Sequence, residues 1–151
     1  MSRQLKRILV AVDDSGAAEA ALDEGIVLAA GDRAELVFAH VTDILGEPFG
    51  LGGKEPARVP APSDTASLVA AQARAAEAGV ACTTELLVGY PPKQLALVAD
   101  DLEIDLIVVG SRHLNGAKRV LLGSTSRALL AESKRPVLVV PYVQVEEPVG
   151  I

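Results

Sequence analysis

Between Gly110 and Ser126 the chain reads GSRHLNGAKRVLLGSTS, and its glycines, basic side chains and hydroxyls are the ingredients of a phosphate cradle. Glycine lets backbone N–H groups come close to an anion, while a helix start adds unpaired donors and a favourable dipole. The stretch lies between an apolar run, Leu106–Val109, and a helix-like segment, Ser124–Ser133. Gly123 followed by Ser124, Thr125 and Ser126 offers backbone and hydroxyl donors together, although Ser124 also reads as an ordinary N-cap. Gly110 and Gly116 fit plain turns equally well. Arg112, Lys118 and Arg119 form a positive cluster in an acidic chain, suited to a polyphosphate or simply to solvent.

A second feature pairs with this one. Asp13 directly follows the apolar run Ile8–Val12, as Gly110 follows Leu106–Val109. Ligands of open α/β sheets bind outside the carboxyl ends of strands, where the winding reverses. If those two strands are neighbours, Asp13 faces the glycine stretch and can accept from ribose hydroxyls. As a lone residue, Asp13 reads equally as a cap or a turn.

Short apolar runs alternate with longer helix-like ones. Ile8–Val12, Leu36–Val41, Thr84–Val88, Leu106–Val109 and Val137–Val140 predict buried strands. Ser15–Ala30, Asp64–Ala78, Pro92–Glu103 and Ser124–Ser133 predict helices, with Ser15, Asp64 and Ser124 as starts and Gly31 and Gly79 as stops. Such alternation implies an α/β sandwich with a parallel sheet and right-handed crossovers, its strand order left open. The segment 42–62, rich in glycine and proline, predicts a functional flap or a disordered loop. Its GLGGKE lacks both the helix pattern and the third glycine of a dinucleotide fingerprint.

Composition narrows the classes. The 151 residues fit one domain, and half are apolar while only 3% are aromatic, so the core must come from Val, Leu, Ile and Ala. A net charge of −6 opposes binding to nucleic acid or an anionic membrane. One cysteine, Cys82, excludes an intrachain disulfide and fits a reducing compartment. The N-terminal apolar run is too short for a signal peptide, and no run reaches the ~18 residues of a membrane span. A cytoplasmic location is the expectation. No paired Cys/His set suggests zinc, leaving any metal unknown, and no nucleophile–base pair suggests a catalytic residue. Cys82 and His40 read as core residues, His40 alternatively as an interface residue.

VAVDDS at Val10–Ser15, VGYP at Val88–Pro91, and DLIVVGSR, GSTSRALL and RPVLVVP from Asp105 to Pro141 resemble the universal stress protein family. The similarity covers nearly the whole chain as one domain, residues 1–151. It implies a three-layer, Rossmann-like fold of the adenine-nucleotide alpha hydrolase type, with a five-stranded parallel sheet ordered 3-2-1-4-5. That order makes the first and fourth strands neighbours.

The resemblance also implies a stress-response protein that binds ATP, with or without Mg²⁺, and at most hydrolyses it slowly. Ala11, Val12, Asp13 and Val41 fall where adenosine is held. Gly110, Ser111, Arg112, His113, Gly116, Gly123, Ser124, Thr125 and Ser126 fall where phosphates and ribose are held. A homodimer joined through Val137, Leu138, Val139 and Val140 is implied too, its further protein partner unknown. In the family motif, glycine is followed after two residues by glycine and after nine more by glycine and Ser or Thr. Gly110, Gly123 and Ser124 match, and His113 stands at the middle glycine. The imidazole there blocks the ligand, sits strained at positive φ, or contacts the phosphates. If it blocks, the chain is a dimeric interaction module that has lost nucleotide binding.

Overall fold

The computed structural model describes residues 3–13, 15–42, 62–113 and 122–143. Five strands alternate with four helices: β1 Arg7–Ala11, α1 Gly16–Asp32, β2 Glu35–Thr42, α2 Pro62–Glu77, β3 Cys82–Val88, α3 Pro91–Asp101, β4 Leu106–His113, α4 Ser124–Glu132 and β5 Val137–Val143. All pairings are parallel and the order is β3-β2-β1-β4-β5, as expected.

The strands are apolar on both faces because both faces are covered, as parallel sheets require. Ile8, Val10, Leu36, Phe38 and Val108 pack with α1 and α2 residues such as Leu22, Leu68 and Ala71. Leu9, Val37, Ala39, Ile107 and Val109 pack with Leu95 and Ala99 of α3 and Leu129 of α4. Phe38 is the one aromatic side chain among the largest fully buried ones. Three layers follow directly. Among the described residues no helix is long and apolar enough to cross a membrane.

Several boundaries differ from expectation. α1 runs past Gly31 to Asp32, and Arg33 takes the left-handed conformation at φ 57. Its strain is tolerated because Ala34 N–H closes the helix end onto Ala29 O at 2.9 Å. Gly79, at φ +71, does follow the end of α2. α2 starts at Pro62, not at a cap Asp64, since proline's missing N–H costs nothing at a helix start. α3 starts one residue early, at Pro91, and stops at Asp101, with Glu103 at φ 52. Gly123, not Ser124, is the N-cap of α4, and Ser133 lies just past its end. β4 and β5 continue beyond their apolar runs because each pairs with the other as far as His113 and Val143. β5 lies at the sheet edge, where Pro141 is tolerated. Thr42 and Pro62 belong to β2 and α2; the rest of segment 42–62 lies outside the described residues.

At the amino end of the sheet, Asp105 accepts from Lys6 N at 2.8 Å, Arg7 N at 3.1 Å and Arg3 Nη2 at 3.2 Å. The Lys6 N–H does most to hold this carboxyl below its ordinary 3.8; burial opposes it, and the Arg7 N–H and Arg3 add to it. The bonds tie the segment before β1 to the start of β4.

Candidate functional site

The winding of the chain reverses between β1 and β4, and a crevice opens at their carboxyl ends. Strand alternation and helix starts put part of the expected set there, without Ser111, Gly123 or Ser124. Ala11, Val12, Asp13, Val41, Gly110, Thr125 and Ser126 all line one hollow of about 170 Å³. Asp13 thus shares one hollow with Gly110, Thr125 and Ser126, β1 and β4 being neighbours.

The two helix starts at this hollow differ. Ser15 caps α1, its Oγ accepting from Ala18 N at 3.1 Å, while Asp13 Oδ1 accepts from Ser15 N at 2.7 Å. That start is satisfied by its own side chains, and Asp13 keeps its second carboxylate oxygen for other partners. α4 is capped by Gly123, which supplies no side-chain hydrogen bond, and its ladder begins only with Arg127 N to Gly123 O at 3.0 Å. The N–H groups of Ser124, Thr125 and Ser126 consequently have no partner within the helix. Among the described residues, a β-carbon at Gly123 would meet nothing within 4 Å. Unpaired donors and the helix dipole together attract an anion.

The serines play different parts. Ser126 is 3% exposed, and its Oγ donates to Gly110 O at 3.3 Å, stitching α4 to β4. Thr125 is half-buried at the hollow, and Ser124 is exposed. Ser111 is 2% exposed and its Oγ has no partner among the described residues; the same holds for Thr42 Oγ1 and Ser67 Oγ. A buried hydroxyl left unpaired costs about 1–3 kcal/mol. All three belong to elements that end or begin at the carboxyl side of the sheet.

Gly110 is no turn residue. It sits inside β4, paired with Val140, and its missing side chain leaves room for the carbonyl of Ala17 on α1. His113 is also in β4, opposite Val143. The described non-glycine residues with positive φ are Arg33 and Glu103, so the strained-backbone account of His113 is removed. Arg112 lies in β4 opposite Tyr142. Gly116, Lys118 and Arg119 lie outside the described residues. Val137, Leu138, Val139 and Val140 are half-buried on the edge strand.

His40 was not expected here. Its Nδ1 lies 2.9 Å from Val12 O, and its ring lines the hollow together with Asp13. The signal in the sequence is its place beside Val41 at the carboxyl end of β2. Pro91 and Leu95 of α3 complete the wall. Among the described residues no group of three or more His, Cys, Asp or Glu side chains gathers to hold a metal.

The family model described as "Universal stress protein family" matches residues 4–141. "Universal stress protein YxiE" of Bacillus subtilis is 33% identical, over 89% of this chain and 97% of that protein. A universal stress protein crystallised in complex with cAMP is 27% identical, with a TM-score of 0.68 over 91% of this chain and 98% of the other. A family protein from Burkholderia pseudomallei is 28% identical, with a TM-score of 0.71 over 94% of this chain and 100% of the other.

Proposed function

The chain belongs to the universal stress protein family, and we propose that it is a small regulatory protein that binds an adenine nucleotide between the ends of β1 and β4. The observation that carries this is the start of α4, which has no side-chain cap hydrogen bond and shares the hollow with Asp13 where the winding reverses. The base and ribose occupy the 170 Å³ hollow, with Asp13 accepting from the ribose hydroxyls. Phosphate takes the N–H groups of Ser124 and Thr125. The cAMP complex of a relative with the same fold supports an adenylate as the ligand. ATP is the form we assign, Mg²⁺ being carried by the phosphates rather than by a protein cluster.

In this reading the protein acts in the cytoplasm as a homodimer joined along β5, whose apolar Val137–Val140 run lies at one edge of the sheet. Nucleotide occupancy is the signal, and turnover is at most slow. Isothermal titration with ATP, with and without Mg²⁺, tests it: saturable heat at micromolar protein is expected. Folded protein giving no heat with ATP, ADP, AMP or cAMP overturns it. The interaction-module alternative is favoured by one observation, the imidazole-bearing His113 where the family motif has glycine.

A further inference from the structure

A second, larger hollow of about 510 Å³ opens between α1 and α2, sharing Val12, Asp13, Ala18 and His40 with the first. The nucleotide reading makes no use of it. Its volume lies within the roughly 300–1,000 Å³ of small-molecule pockets. Ala66, Ala70 and Ala71 of α2 face Ala18 and Leu22 of α1 across it, and these short side chains are why the space exists. The floor is apolar and the polar groups are few. Ser67 lines the hollow, but its Oγ is screened from solvent. Asp13 and Glu19 bring two carboxylates, whereas the guanidinium of Arg74 is engaged in an ion pair with Asp23. Among the described lining residues, the charge left over is negative.

We propose that this hollow is a second ligand site, selective for small organic amines. The aliphatic or aromatic body lies against the alanine floor, and the ammonium head meets Asp13 and Glu19. Carboxylates and phosphates of the same size are repelled by the same two side chains. The proposal stands on the hollow alone and does not need a nucleotide to bind.

Saturation-transfer NMR on the full chain, using benzylamine and n-butylamine against benzoate and butyrate, is the test. Both amines should bind with Kd on the order of millimolar, and both acids at least about tenfold more weakly. Ala70→Leu fills the space from an exposed helical position that favours leucine, so the fold should survive, as circular dichroism will verify. It should abolish amine binding. Glu19→Gln should weaken the amines several-fold without strengthening either hydrocarbon body's fit. Amines and acids binding alike, no amine binding at all, or full binding in Ala70→Leu would each overturn the proposal. Titration of the same proteins with ATP separates this outcome from failure of the nucleotide reading.

Discussion

A β-carbon on Gly110 would run into the carbonyl oxygen of Ala17, so β4 and the first turn of α1 touch backbone to backbone. The glycine is thus required by packing whatever it does for a ligand. Because the obstacle is main chain, it cannot rotate away. Gly110→Ala should cost about 3 kcal/mol, at the upper end of overpacking effects. In a chain of this size that corresponds to a Tm lower by roughly 6–12 °C. Calorimetry without nucleotide checks it, and an unchanged Tm would mean that α1 can slide.

Gly16 and Tyr142 make a softer contact of the same kind. An added β-carbon at Gly16 would sit 2.7 Å from the Tyr142 ring and 2.9 Å from its hydroxyl oxygen. Gly16→Ala should therefore destabilise by about 1–2 kcal/mol in the parent. In a Tyr142→Ala background the same change should be nearly neutral, giving a coupling energy of similar size in a double-mutant cycle. Additive effects would show that the ring does not rest on the start of α1.

Nucleotide affinity should respond to the two walls of the crevice separately. Asp13→Ala removes the acceptor for the ribose and should weaken ATP about tenfold, close to the worth of one hydrogen bond to a charged group. Thr125→Val keeps the backbone donors and should cost less than about fivefold. His113→Gly should leave the Kd within about threefold, because β4 already carries that residue without backbone strain. ATP affinity arising only in the glycine variant would select the interaction module. Titration calorimetry reads all three.

Asp105 makes stability depend on acid. Its carboxyl is held below 3.8 by the Lys6 and Arg7 N–H groups and Arg3 in the folded chain, so it binds its proton more weakly there than when unfolded. That contribution is present above the ordinary carboxylate value and is lost as pH falls through the lowered one. Asp105→Asn should lower the Tm at pH 7 by a few degrees. The gap to the parent should close as pH drops below 3.8. A gap that stays constant with pH would show that the charge contributes nothing.

Cys82 should be a poor nucleophile. Burial pushes its thiol up, and the nearby Glu35 carboxylate adds to this. Less thiolate at neutral pH means slower alkylation. Iodoacetamide at pH 7 should modify Cys82 more slowly than free cysteine by roughly an order of magnitude, and an equal rate would contradict the raised pKa.

The alternation of elements was legible because buried strands and capped helices write different periods into the chain, and Ser15 and Gly79 act as their residue types suggest. Neighbour relations were not written locally. Val10 meets Val108 only through a crossover, and that adjacency came from the family resemblance. Polar strand ends were also hidden: Arg112 and His113 extend β4 because Tyr142 and Val143 are there to pair with them. Strand ends and a helix start marked Asp13, Gly110 and Thr125 as candidates, and the resemblance brought them to one place. The placement of His40, and of Ser67 in the larger hollow, depended on how α1 and α2 settle on the sheet, which no short window contains.

The centre of the sheet is the first strand synthesised, yet its second neighbour, β4, begins only at Leu106. On the ribosome, Ile8 and Val10 must therefore wait with one hydrogen-bonding side bare while most of the polypeptide is still being made. Such an unfinished border invites mispairing and chaperone capture. The crevice between β1 and β4 is accordingly among the last features to exist, and a stop between Val88 and Leu106 leaves three strands without it.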